Sequence, residues 1–288
     1  MTIPDENAAR NPATPGPAAA RIASTIMLVR DGPAGMEVFM VVRHHQIDFA
    51  SGALVFPGGA VEPDDYTLAA TPALRATTPM LDDASRAVRV AAVRETHEEC
   101  GVLLAREPEQ TSRHGEMAAD IVGPTACAAV ARRVAAGALF SQALAAEGLE
   151  LALDALAPFA HWVTPRFLPK RFDTYFFVAA APAHQIACHD GAESVESTWI
   201  NPRAALEAAE RGAYTIIFPT RLNLALLAQE NTAETALAAA RARRIVTVEP
   251  EQAKTAEGGP ALRIPLEAGY GAEVFAFTDG VMKPKTPG

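Results

Sequence analysis

Arg94-Glu95-Thr96-His97-Glu98-Glu99-Cys100-Gly101-Val102 is the stretch on which the reading of this chain turns. On a helix each residue rotates by about 100°, so Glu95, Glu98 and Glu99 share one face. Val90, Val93 and Cys100 fall on another side, suited to packing, and His97 also points away from the acids. Three carboxylates in one patch repel one another, and a divalent cation removes that penalty. Oxygen donors of this kind suit Mg²⁺ or Mn²⁺. Taken alone, the cluster also reads as a solvated acidic face with an Arg94–Glu98 pair worth a few tenths of a kcal/mol. The helix is expected to start at a cap on Asp82 or Asp83 and to stop at Gly101.

Upstream, Phe56-Pro57-Gly58-Gly59-Ala60-Val61-Glu62-Pro63-Asp64-Asp65 follows a short apolar run, Ala53 to Phe56. A glycine pair after a strand lets the backbone come close to a phosphate or a metal. Before it, Ile22 to Arg30 and Glu37 to Arg43 are rich in β-branched and apolar residues, and the turn residues between them predict a hairpin. Residues 66 to about 80, between the glycine pair and the acidic helix, are broken by prolines and read as a surface loop. Downstream, Gly123 to Glu147 is Ala-rich and helical with a break near Gly137, and Leu149 to Leu156 reads as a further short helix. Strands are expected at 160–164, 173–179 and 195–200, and helices at Pro202 to Arg211 and Pro219 to Glu230. Short β-like runs separated by turns follow from Arg244. This order fits one mixed α/β domain with an inserted helical segment, preceded by a Pro/Ala-rich tail over residues 1–20.

The bulk composition sets limits. The 288 residues include 49% hydrophobic and 20% charged side chains, a globular balance. The net charge of −9 argues against non-specific binding to nucleic acid or to an anionic membrane, but not against a phosphorylated substrate held through a cation. No apolar stretch reaches the roughly 18 residues of a membrane span. The start of the chain lacks a secretory pattern. Cys100, Cys127 and Cys188 form no CxxC pair, so a cytoplasmic location is expected, with Cys127 and Cys188 as core thiols.

Together the glycine pair and the acidic helix resemble the Nudix box, G-x5-E-x7-R-E-U-x-E-E-x-G-U, where U is aliphatic. Gly59, Arg94, Glu95, Glu98, Glu99, Gly101 and Val102 match it. Asp65 stands where the box has Glu, Thr96 stands at an aliphatic position, and 28 residues, Tyr66 to Val93, replace the seven between Asp65 and Arg94. A split box of this sort is similar to the branch that includes the animal peroxisomal coenzyme A diphosphatases. Segments 160–165, 171–177 and 199–202 share that likeness. A signature preceding the box in coenzyme A enzymes is partly present: Arg43, Gly52 and Phe56-Pro57-Gly58-Gly59 fit, whereas His44 and Asp48 replace its Ser and second Arg.

The resemblance implies an α/β/α sandwich around a mixed β-sheet. The Nudix domain would span 21–240, with insertions at about 66–82 and 107–157, and a small C-terminal extension, 241–288, would pack on the same domain. It implies hydrolysis of a diphosphate linkage in a nucleoside diphosphate derivative, coenzyme A or acyl-CoA first, ADP-ribose or a dinucleotide second. A nucleotide sensor without catalysis is the reading from another class. Metal ligands would be Glu95, Glu98 and Glu99, with the Gly59 backbone as a further oxygen, and Arg94 would orient the site through Asp65 or Glu62. The general base stays open among Glu98, Glu193 and Glu196. Substrate contacts are expected from Arg43, Phe56, Gly58, Gly59 and Arg171. Dimers are common in the family, but no residues here locate an interface.

Overall fold

The structure, a computed structural model, describes residues 18–43, 52–108, 121–189, 194–278 and 281–286. His44, Asp48, Glu193, most of the N-terminal tail and the side chain of Arg43 lie outside the described residues.

Strands β1 (Arg21–Gly32) and β2 (Gly35–Arg43) form the expected hairpin, in register from Val29↔Val38 to Gly32↔Gly35. Gly35 has a φ of 110°, which the tight turn requires and a side chain disfavours. Next come β3 (Leu54–Val55), which pairs with β2, and β4 (Gly58–Ala60), which pairs with β1. Beyond the inserted segments lie β7 (Ala157–Val163), β8 (Phe172–Ala180) and β9 (Ser194–Ile200). β8 runs parallel to β1 and antiparallel to β7, while β9 pairs antiparallel with β2, so the sheet is mixed.

Side-chain alternation divides β1 between two cores, as a strand's period of two demands. Ile26 and Leu28 pack with Val90 and Val93 of the long helix α3 (Asp83–Cys100). Met27 and Val29 pack with Ala205, Leu224 and Ala236 of α6 (Pro202–Glu210), α7 (Phe218–Leu227) and α8 (Ala233–Ala242). Helices therefore cover both faces of the sheet in an α/β/α sandwich. Val90 and Val93 are fully buried, each contributing roughly 1.5–3 kcal/mol relative to exposure. Helix α3 begins at Asp82, whose side chain accepts from the Ser85 N–H at 2.7 Å, and ends at Gly101 in the left-handed conformation.

The segment read as a surface loop is instead two short helices, α1 (Pro63–Ala69) and α2 (Pro72–Thr77). Pro63 and Pro72 sit at the first helical turn, where a missing N–H breaks no hydrogen bond, so Pro72, which reads as a breaker, is a starter. Arg86 of α3, buried, clamps this pair by donating to the carbonyls of Ala69, Thr78 and Leu81. The Ala-rich segment forms α4 (Pro124–Ala135) and α5 (Phe140–Ala146), with Gly137 at φ 93° between them. Leu149 to Leu156 is not a helix. It holds β6 (Glu150–Leu151), paired with β5 (Ala105–Arg106), and one 3₁₀ turn at Leu153–Ala155. The run is too short to nucleate a helix against available strand pairing.

The C-terminal region adds β10 (Thr247–Val248) beside β7. It then forms an antiparallel sheet of β11 (Glu251–Lys254), β12 (Pro260–Arg263), β13 (Val274–Thr278) and β14 (Val281–Lys285). A buried relay ties it to the domain: the Trp162 indole N–H donates to the Tyr270 hydroxyl (2.9 Å), which donates to Asn223 Oδ1 (2.7 Å). Among the described residues no helix is long and apolar enough to cross a membrane.

Candidate active site

Strand β4 and helix α3 bring the glycine pair to the acids. The Gly58 N–H donates to Glu99 Oε2 at 3.0 Å. A Cβ on Gly59 would lie 2.3 Å from Glu95 Oε1, so the Glu95 carboxylate rests against the glycine backbone. At Gly58 a Cβ would instead meet the β1 backbone, 2.3 Å from the Ser24 carbonyl oxygen and 2.7 Å from Thr25 Cα. The two glycines thus have different duties: Gly58 lets β4 lie on β1, and Gly59 makes room for Glu95.

Arg94 organises the rest. Its guanidinium donates through Nε and Nη2 to the two oxygens of Asp65, at 2.9 and 3.0 Å, a bidentate pair. Nη2 also reaches the Ala60 carbonyl at 2.9 Å, while Nη1 reaches Glu95 Oε1 and Glu98 Oε2, both at 2.9 Å. The side chains of Arg94 and Asp65 are 4% and 1% exposed. Burial opposes the charge on Arg94, but Asp65, Glu95 and Glu98 outweigh it and hold the guanidinium pKa above its ordinary value. Asp65 also accepts from the Glu62 N–H at 2.8 Å and so caps α1. Its neighbour Asp64 accepts from the N–H and hydroxyl of Ser141 in α5 (3.0 and 2.6 Å), joining both insertions to the site. Between the two sequence candidates for the partner of Arg94, the geometry selects Asp65.

Four carboxylates, Asp65, Glu95, Glu98 and Glu99, thus gather around one arginine, leaving the cluster negative. Burial raises the pKa of Glu98, Arg94 opposes this, and the nearby charges of Glu62 and Asp65 add to the rise. Among the described residues no group of three or more His, Cys, Asp or Glu is already converged as a cation cage. Arg94 holds Glu95 and Glu98, and the Gly58 N–H holds one oxygen of Glu99. By donor chemistry the set fits a hard divalent cation: carboxylate oxygens, excess negative charge and a backbone without side chains beside them.

Other expected site residues fall elsewhere. Phe56 is buried in the core shared with α6–α8. Arg171 donates to the carbonyls of Thr164 and Ala18 and to Glu249 (3.0, 2.9 and 2.8 Å), which ties the β7–β8 connection to the C-terminal region rather than to the glutamates. Glu196 is exposed on β9 opposite Val42. Directly opposed residues share a face, and Val42 packs with the α6–α8 core, so Glu196 lies across the sheet from α3. His97 is packed as expected, near Phe140 and the Cys127 carbonyl. Cys127 is buried, but Cys188 is exposed and not a core thiol, because its segment crosses the surface after β8.

An α/β/α sandwich whose acid-bearing helix meets a double-glycine strand defines the Nudix class. A family model described as the NUDT19 Nudix domain matches residues 73–225. A solved NUDIX hydrolase from Alicyclobacillus acidocaldarius is 30% identical, covers 76% of this chain and 96% of its own, and superposes with a TM-score of 0.62. A Caenorhabditis elegans protein named for the same family, nudix hydrolase 7, is 28% identical over 196 residues, 67% of this chain. The match spans 56% of that relative's length. The chain belongs to the Nudix family, in the branch that the NUDT19 domain represents.

Proposed function

We propose that this protein is a divalent-metal-dependent hydrolase that cleaves the diphosphate linkage of a nucleoside diphosphate derivative, with coenzyme A or an acyl-CoA as the leading substrate. The supporting observation is the convergence of Glu95 and Glu99 on the Gly58–Gly59 backbone, beside an Arg94 fixed by Asp65. The substrate preference rests on the split box and on the spacing of Arg43, Gly52 and the Phe-Pro-Gly-Gly run.

Glu95, Glu98 and Glu99 would hold Mg²⁺ or Mn²⁺, with the Gly59 backbone as a further oxygen. A bound cation supplies charge neutralisation at phosphate oxygens and makes water a better nucleophile at neutral pH. In the reaction a water oxygen bonds to one phosphorus and the bridging P–O bond breaks, giving two phosphate monoesters. From coenzyme A these are 3′,5′-ADP and 4′-phosphopantetheine. Glu98 is the base we favour over Glu196. It stands on the ligand face of α3, bound to Arg94 Nη1 at 2.9 Å, whereas Glu196 lies across the sheet. Arg94 keeps the acids in place, and the charges around it stay fixed through the reaction.

The test is mass spectrometry of products from a panel of coenzyme A, acyl-CoA, ADP-ribose and dinucleotides with Mg²⁺ or Mn²⁺. Release of 3′,5′-ADP from coenzyme A, lost in Glu99→Gln, supports the reading. Turnover of ADP-ribose with coenzyme A intact overturns the substrate, and tight binding without any product overturns the enzyme reading in favour of a sensor.

A further inference from the structure

Strand β1 places Ile22, Ser24, Ile26 and Leu28 on the parity that faces α3, since Ile26 and Leu28 share a core with Val90 and Val93. Ser24 is the polar member of that row. It is fully buried, and its Oγ has no hydrogen-bond partner among the described residues. Buried hydroxyls are almost always satisfied, so an orphan needs a reason.

The register supplies one. Ser24 lies directly opposite Gly59 in the β1–β4 ladder, and opposed residues present their side chains to the same face with Cβ atoms about 4.5–5.5 Å apart. The Cβ position of Gly59 is 2.3 Å from Glu95 Oε1. Ser24 and the Glu95 carboxylate therefore occupy the same face of the β1–β4 ladder about Gly59, and a rotation about χ1 turns the Ser24 hydroxyl. Glu95 accepts from Arg94 Nη1, which it shares with Glu98.

A carboxylate that takes up a cation depends on hydrogen bonds to fix its orientation. We propose that Ser24 is a positioning residue for Glu95: its Oγ–H donates to the Glu95 carboxylate when that group turns from Arg94 toward a divalent cation. The inference rests on the metal-dependent reading above. It assigns to Ser24, within β1, a part in metal affinity that touches neither substrate nor the reacting atoms.

The experiment is calorimetric titration of Mn²⁺ into the full chain as wild type, Ser24→Ala and Glu95→Gln, with metal-free thermal melts of each. Ser24→Ala is expected to weaken Mn²⁺ binding about tenfold while its metal-free melting temperature holds or rises, because an unsatisfied hydroxyl has gone. Should the alanine variant not fold, Ser24→Cys, of similar volume and a weaker donor, is expected to show the same fall. Wild-type affinity in a folded Ser24 variant overturns the inference alone, provided Glu95→Gln binds weakly. Equal Mn²⁺ affinity in wild type and Glu95→Gln overturns the metal site itself.

Discussion

Adjacent alanine substitutions at Gly58 and Gly59 are expected to fail in different ways. At Gly58 the new Cβ would strike the carbonyl oxygen of Ser24 and Cα of Thr25, both backbone atoms of β1. That strand is held on its other edge by β8 over nine residue pairs, from Arg21↔Phe172 to Val29↔Ala180, and cannot retreat. Gly58 also has a φ of 154°, which L residues rarely adopt. Overpacking against fixed backbone with a disfavoured φ costs about 3 kcal/mol or more. At Gly59 the nearest atoms all belong to the end of the Glu95 side chain, at 2.3–2.7 Å, which can rotate away. A displaced Glu95 gives up its bond to Arg94, about 1.5–3 kcal/mol for a charged hydrogen bond, and alanine returns about 0.4–1 kcal/mol by restricting the unfolded chain. The net loss is about 1–2 kcal/mol, with Mn²⁺ affinity falling about 10- to 100-fold because a ligand has lost its orientation. Urea unfolding gives the stabilities and calorimetry the affinities. Equal destabilisation by the two alanines, or wild-type Mn²⁺ affinity in Gly59→Ala, would refute the reasoning.

Asp65→Asn removes the charge that faces the buried Arg94 and is expected to cost about 3 kcal/mol in urea unfolding; a loss within the error of that measurement would mean that the pair is not buried in solution. Arg86→Leu is expected to release the helices α1 and α2 from α3, read as faster amide exchange across residues 63–78 with the β1–β8 ladder still protected. Burial pushes the Tyr270 hydroxyl up to about 12. The unfolded chain loses this proton from about pH 10 while the folded chain keeps it. The folded state then binds more protons, so stability present below pH 10 is lost between pH 10 and about 12, by up to about 1.4 kcal/mol per pH unit. Tyr270→Phe should flatten that arm of the stability profile, and an unchanged slope would contradict the assignment.

Local signals in the sequence were sufficient for much of this site. Asp82 and Gly101 bracket α3 because a short acceptor and a left-handed glycine are chemical punctuation that tertiary context seldom overrides. The hairpin was equally plain, since two runs rich in β-branched and apolar residues flank a cluster of turn residues. The insertion after Asp65 reads as a loop because a proline such as Pro72 looks the same as a breaker and as a helix starter; what decides is whether a partner, here Arg86, waits to hold the helix ends. Arg171 resembled a phosphate-binding cation because its carboxylate, Glu249, lies 78 residues away and has no sequence signature. The position of Glu196 was not legible for a related reason: which face of the sheet it occupies depends on a register with β2 that the sequence does not display. Ser24 was visible as a polar residue within an apolar strand, but its meaning required knowing that Gly59 would lie opposite.

The most direct test of the central claim is the hydrolysis of coenzyme A in ¹⁸O-labelled water with Mn²⁺, followed by mass spectrometry of both products. The account predicts one ¹⁸O atom in the phosphate of one product and a rate at least about a hundredfold lower in Glu99→Gln. Intact coenzyme A and intact ADP-ribose with every divalent cation tried, or equal rates in the two proteins, would contradict it.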